Sequence, residues 1–161
     1  MTILTEQQLI ESFANAVAQE ETWFLKRKMP TVSQRCNNPG CLEHWKDPDG
    51  KPYPEQNGFV VFPDEATGWK ALRSQCKINI LKRRLTWLEV FAGKHGVYRG
   101  LRPADSSVDR SQGKSNPARY AQNVLDRVCS PLGITATIGT PVLAVLAHKG
   151  NMEDAARPIA A

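Results

Sequence analysis

Residues 25–57 constrain the fold more than any other stretch of this chain. They run "LKRKMPTVSQRCNNPGCLEHWKDPDGKPYPEQN", too rich in proline, glycine and aspartate for a helix or buried strand to continue through them. Loop with tight turns is expected here. On either side the pattern is helical, so the chain reads as helices packed around an irregular insert. Upstream, Thr5 and Gln8 make a capping box, and Leu9, Ile10, Phe13, Ala16, Val17 and Phe24 recur at helical spacing. Downstream, "GFVVF" (58–62) is the best strand candidate, one arm of a small hairpin.

The second half reads in the same way. Trp69, Leu72, Cys76 and Ile80 share one helical face within "PDEATGWKALRSQCKINILKRR". "TWLEVFAG" opens on a Thr86/Glu89 capping box and closes on Gly93. Residues 94–115 are polar and basic and are expected to form a long surface loop, whose length alone makes it suspect as functional. Asn116 caps the next helix with Pro117 at its first position, and Tyr120, Ala121, Val124, Leu125 and Val128 form its buried stripe. A short helix is expected over 141–148. The expected fold class is therefore α+β, predominantly helical, with a small β-hairpin in the N-terminal half. One domain over residues 1–150 is expected, with 151–161 a frayed tail. No internal repeat or low-complexity tract is visible.

Composition narrows the function classes only a little. At 161 residues the chain suits one domain with a real core, and its 41% hydrophobic and 23% charged fractions are ordinary for a globular protein. A net charge of +5 favours polyanionic partners without selecting one. "LKRR" (81–84) is the one tight basic cluster and reads as a solvated helix end. The basic residues of 82–84 and 99–119 are the sole basis for a nucleic-acid-binding reading, which no motif supports, so no nucleic-acid partner is expected. No stretch reaches the length of a membrane span, no membrane insertion is expected, and the first residues lack a secretory signal pattern.

The stretch "RCNNPGCLEHW" (35–45) carries the most chemistry. A metal site would draw on Cys36, Cys41 and His44, but a second ligand pair at matching spacing is missing, so no metal and no cofactor is expected. A nucleophilic cysteine needs a histidine that reaches it and a third group to orient that histidine; His44 is too local, and no thiol-protease signature surrounds it. A Cys36–Cys41 clip would require the turn to fold back on itself. Cys76 and Cys129 lie in helical stripes as small buried hydrophobes. The remaining reading is a rigid loop lining an active site.

Four ordered blocks favour that last reading. Arg35-x-Asn37-Asn38-Pro39-Gly40-x-Leu42 resembles the Arg-Asn-Asn-Asn-Pro-Gly-Asn loop of a family of phage-encoded, lysozyme-like proteins that act on peptidoglycan. "AVAQEETWF" (16–24) is similar to that family's Ala-Ile-Ala-x-x-Glu-Gly-aromatic helix end. "GFVVFPDEATGWKAL" (58–72) and "YAQNVLDRVCSPLGI" (120–134) resemble its later segments. The blocks span roughly residues 9–143. Cys36, Cys41 and Thr22 depart from the family pattern, so the loop could be reshaped.

The resemblance implies a lysozyme-like fold, and cleavage of the MurNAc–GlcNAc bond in bacterial peptidoglycan, with Glu21 as general acid. Such chemistry needs a carboxylic acid that holds its proton in a poorly solvated cleft. On a helical wheel Glu21 falls about 80° from the centre of the apolar stripe, at the border of core and water, while Glu20 falls inside the stripe and is the runner-up. A two-carboxylate glycosidase would need a facing partner. The next acidic residues, Glu43, Asp47 and Asp49, lie in a loop of uncertain position. A lytic transglycosylase, in which the sugar's own 6-hydroxyl replaces water, is therefore favoured over a hydrolase. Asn37, Asn38 and Gly40 are expected to hold substrate, with Tyr120 lining the cleft; Phe59, Phe62 and Trp69 read as core. Glu21→Gln is expected to abolish cleavage and leave folding intact. The resemblance further implies a monomer, released to the cell wall by a holin or carried in a phage particle, with other virion or lysis proteins as further partners. The rival reading is a virion or wall-binding component without turnover.

Overall fold

A computed structural model describes residues 4–104 and 116–149; the expected tail at 151–161 and part of the 94–115 loop lie outside the described residues. The first helix, α1, spans Glu6–Glu20. Its capping box forms as expected: Thr5 Oγ1 accepts from Gln8 N at 3.2 Å, and Gln8 Oε1 accepts from Thr5 N at 2.8 Å. Leu9, Phe13, Ala14 and Val17 make its buried face. The stripe does not run on to Phe24. Thr22 takes a left-handed φ of 60° just past the helix end, and Trp23, rather than Phe24, turns into the core.

The irregular insert holds one element the sequence reading missed, the single-turn helix α2 at Val32–Arg35. Thr31 and Gln34 cap it reciprocally, the same signature as at Thr5. Strands β1 (Glu55–Gln56) and β2 (Phe59–Val60) pair antiparallel, with Glu55 opposite Val60. Asn57 and Gly58 between them both have positive φ, which suits an Asn-Gly turn matched to strand twist.

Helix α3 (Glu65–Lys77) starts at Asp64, whose carboxylate accepts from Thr67 N at 2.7 Å. The expected continuous helix widens into a π turn over Ile78–Lys82, with Asn79 buried inside it. Arg83 is not simply solvated. It donates to Asn79 Oδ1 and stacks 4.5 Å above the Tyr98 ring, whereas Lys82 and Arg84 are exposed. Helix α4 (Trp87–Ala92) keeps its Thr86/Glu89 box and ends at Gly93, φ 91°, where a Cβ would meet the Arg99 carbonyl oxygen at 2.2 Å. Beyond it the chain departs from a surface loop: Leu101 and Pro103 are buried and Arg102 points inward.

Helix α5 (Pro117–Cys129) is capped by Asn116 and followed by 3-10 turns at Ser130–Leu132 and Val142–Lys149. Helix α1 packs on α3 and α5, and α4 on α5. Phe13 lies at the junction, its ring centroid 5.5 Å from Trp87 and 6.0 Å from Phe91. Buried side chains from Leu9 to Val145 form one cluster. All four cysteines are free and buried, so no Cys36–Cys41 clip forms. The architecture is thus α+β, mostly helical, with a single two-stranded hairpin among the described residues.

Candidate functional site

Glu21 closes α1, and its backbone is fixed on both sides. Its N–H donates to Val17 O at 2.9 Å, and its carbonyl accepts from Ser33 Oγ at 2.9 Å. The side chain is then aimed at three distant segments. Oε1 accepts from Arg102 Nε at 2.8 Å, from Arg102 Nη2, and from the Tyr120 hydroxyl. The Cys41 side chain is buried near this carboxylate. Only 13% of the Glu21 side chain and 16% of the Arg102 side chain remain exposed, so the ion pair is largely withdrawn from water.

Arg102 ties the cluster to the Asn-Pro-Gly loop. Its guanidinium reaches Gly40 O at 3.3 Å and Cys41 O at 3.4 Å. It lies 5.9 Å from the rings of both Phe59 and Tyr120. Burial works against its charge, but the Glu21 carboxylate beside it more than offsets that and holds it protonated. Burial first, and then the Glu21 charge, push the Tyr120 phenol and the Cys41 thiol well above their usual ranges. Both remain neutral. The arrangement is a shielded carboxylate held by one cation, Arg102, and one neutral donor, Tyr120.

Of the residues nominated from sequence, Glu21, Tyr120 and Gly40 come together here. Gly40 acts through its carbonyl and through its close packing on Leu72. The substrate-holding role expected of Asn38 does not fit its position. Its side chain is buried, Nδ2 donates to Leu42 O and Val60 O, and Oδ1 accepts from Leu42 N. It staples the loop to β2. Asn37, half-buried with φ 50°, gives Nδ2 to Phe62 O at 3.1 Å, while its Oδ1 makes no hydrogen bond among the described residues. It is the loop residue with an acceptor to spare. Glu20, the runner-up, faces away from this cluster and bonds to Arg127 and Asn123. Glu43 stands 3.8 Å from Arg99.

The sequence reading missed Arg102. The unusual length of the 94–115 segment marked the region, but nothing local singles out one arginine that bonds to Glu21, Gly40 and Cys41, 61 to 81 residues away. Two hollows border the segment. One of about 650 Å³ runs along Lys94–Arg99 to Pro103 and Ala104, and one of about 130 Å³ is lined by Cys41, Glu43, Gln75 and Tyr98. Neither is lined by Glu21. Compared with protein-family models, curated proteins and solved structures, the chain has no match.

Proposed function

We propose that this chain is a lysozyme-like domain that cleaves the glycan strand of bacterial peptidoglycan, with Glu21 as its single acid–base carboxylate. The observation that supports it most directly is the convergence on Glu21 of Arg102 and Tyr120, remote from it in sequence, with Arg102 also bonded to the Gly40 and Cys41 carbonyls. In this reading Glu21 donates its proton to the glycosidic oxygen. Arg102 and Tyr120 then favour the carboxylate that remains, because both are donors toward it. An ion-paired carboxylate has no proton to give, so productive binding requires substrate to loosen the Arg102 contact. The regenerated carboxylate next takes a proton from the sugar's 6-hydroxyl, which attacks the anomeric carbon and closes a 1,6-anhydro ring.

One observation favours a second reading. The Glu21–Arg102 pair is nearly closed to solvent and ties α1 to two loops, as a structural staple would. A phage virion or wall-binding component without turnover would need no more than that. Incubating wild type and Glu21→Gln with isolated peptidoglycan, followed by mass spectrometry of the soluble fragments, separates the readings. Anhydro-muropeptides from wild type alone are expected. Reducing-end products would mean a hydrolase, and intact sacculi from a folded wild-type protein would leave the structural reading.

A further inference from the structure

The segment between α1 and α2 carries a surface that cleavage does not use. Phe24, Leu25 and Met29 are 52%, 37% and 74% exposed, and they bracket three consecutive exposed cations, Lys26, Arg27 and Lys28. None of the three cations makes an ion pair among the described residues. The loop is nevertheless built and not loose at its base. Gln34 Nε2 donates to Trp23 O at 2.6 Å and to Leu25 O at 2.9 Å, and Arg35 Nη1 donates to Pro30 O at 2.8 Å. Trp23 is buried beneath it, and the Phe24 ring rests 6.1 Å from Trp69. Helix α2 thus holds both ends while residues 26–29 project.

We infer that this loop docks the protein on an anionic phospholipid bilayer, with Phe24, Leu25 and Met29 at headgroup depth and Lys26–Lys28 against lipid phosphates. Charge complementarity selects an anionic partner, since three adjacent unpaired cations repel a second copy of the same face. The apolar residues select lipid over a soluble polyanion, which would satisfy the cations and leave the phenyl and thioether groups in water. A bilayer satisfies both at once, with apolar burial adding to roughly 1 kcal/mol of attraction per cation, about fivefold each in affinity. Docking of this kind needs no membrane-spanning helix, and none of the described helices is long and apolar enough to cross a membrane.

The test is flotation of the full chain with vesicles of phosphatidylcholine, with and without phosphatidylglycerol. Binding to the anionic vesicles alone is expected, falling on the order of 100-fold in Lys26→Gln/Arg27→Gln/Lys28→Gln and about tenfold in Phe24→Ser/Met29→Ser. Circular dichroism of each variant checks that the fold survives. No binding by wild type would overturn the proposal. So would binding that the Phe24/Met29 change leaves untouched, or binding that soluble polyphosphate abolishes at equal phosphate concentration, because either would make the loop a general polyanion contact.

Discussion

At Glu21 the energetics of a buried pair compete with the demands of catalysis. Substituting glutamine keeps the shape and a weak acceptor but removes the charge that balances Arg102. Removing one partner of a largely buried ion pair is among the costlier changes a core can take, so Glu21→Gln is expected to lose about 3 kcal/mol of unfolding free energy. The buried pair thus argues against the sequence-based expectation that folding would be untouched. The double variant Glu21→Gln/Arg102→Met removes both charges and should recover most of the loss in urea denaturation. Activity lost in both, with stability regained in the double variant, would separate chemistry from folding; equal stability of the two variants would mean Arg102 finds another partner. Tyr120→Phe leaves the Arg102 bonds in place and should cost only about 1 kcal/mol.

Between elements the decisive contact is the seat of the Asn-Pro-Gly loop on α3. A Cβ at Gly68 would lie 1.8 Å from the Asn37 carbonyl oxygen, a backbone atom that cannot swing aside. Gly68→Ala should therefore push the loop off the helix and lower stability by more than about 2 kcal/mol, the range of overpacked core sites. Asn38→Ala should cost a similar amount, because Leu42 and Val60 lose buried partners. Thermal melts of both, beside the exposed control Lys70→Ala on the outer side of α3, would check this. Unchanged melting of Gly68→Ala would mean that the loop is not seated where Asn37 meets α3. These contacts also mark how far the sequence is legible. Helix starts at Thr5, Thr86 and Asn116 are local signals, complete within three residues. Helix α2 carries the same Thr-x-x-Gln signature at Thr31, but it is one turn long and hidden among prolines. The π turn at Ile78–Lys82 and the inward course of Arg102 follow from packing against remote residues, and no short window encodes them. The same limit applies to Asn38: an asparagine in a turn looks alike whether it faces a ligand or the Leu42 and Val60 backbone.

The whole molecule stores part of its stability in protons. The buried cluster that joins α1, α3, α4 and α5 encloses Cys76 and Cys129, and Tyr98 is packed against it. Burial pushes Cys76 from 9.0 up to about 12, Cys129 from 9.0 to about 11, and Tyr98 from 10.0 to about 12. The folded protein therefore keeps protons that the unfolded chain releases first. With fewer protons on the unfolded state, stability falls as pH rises: the contribution is whole below about pH 9 and is lost up to about pH 12. Alkaline unfolding should thus be steep, each such group adding up to about 1.4 kcal/mol per pH unit. Cys76→Ala lowers stability at every pH by leaving a small cavity, yet it should flatten the slope above pH 9 by one proton's worth. Urea unfolding at a series of alkaline pH values reads that slope directly. An unchanged slope would mean that the Cys76 thiolate is tolerated inside the folded state, and that water reaches the interface of α1 and α3 on which the core depends.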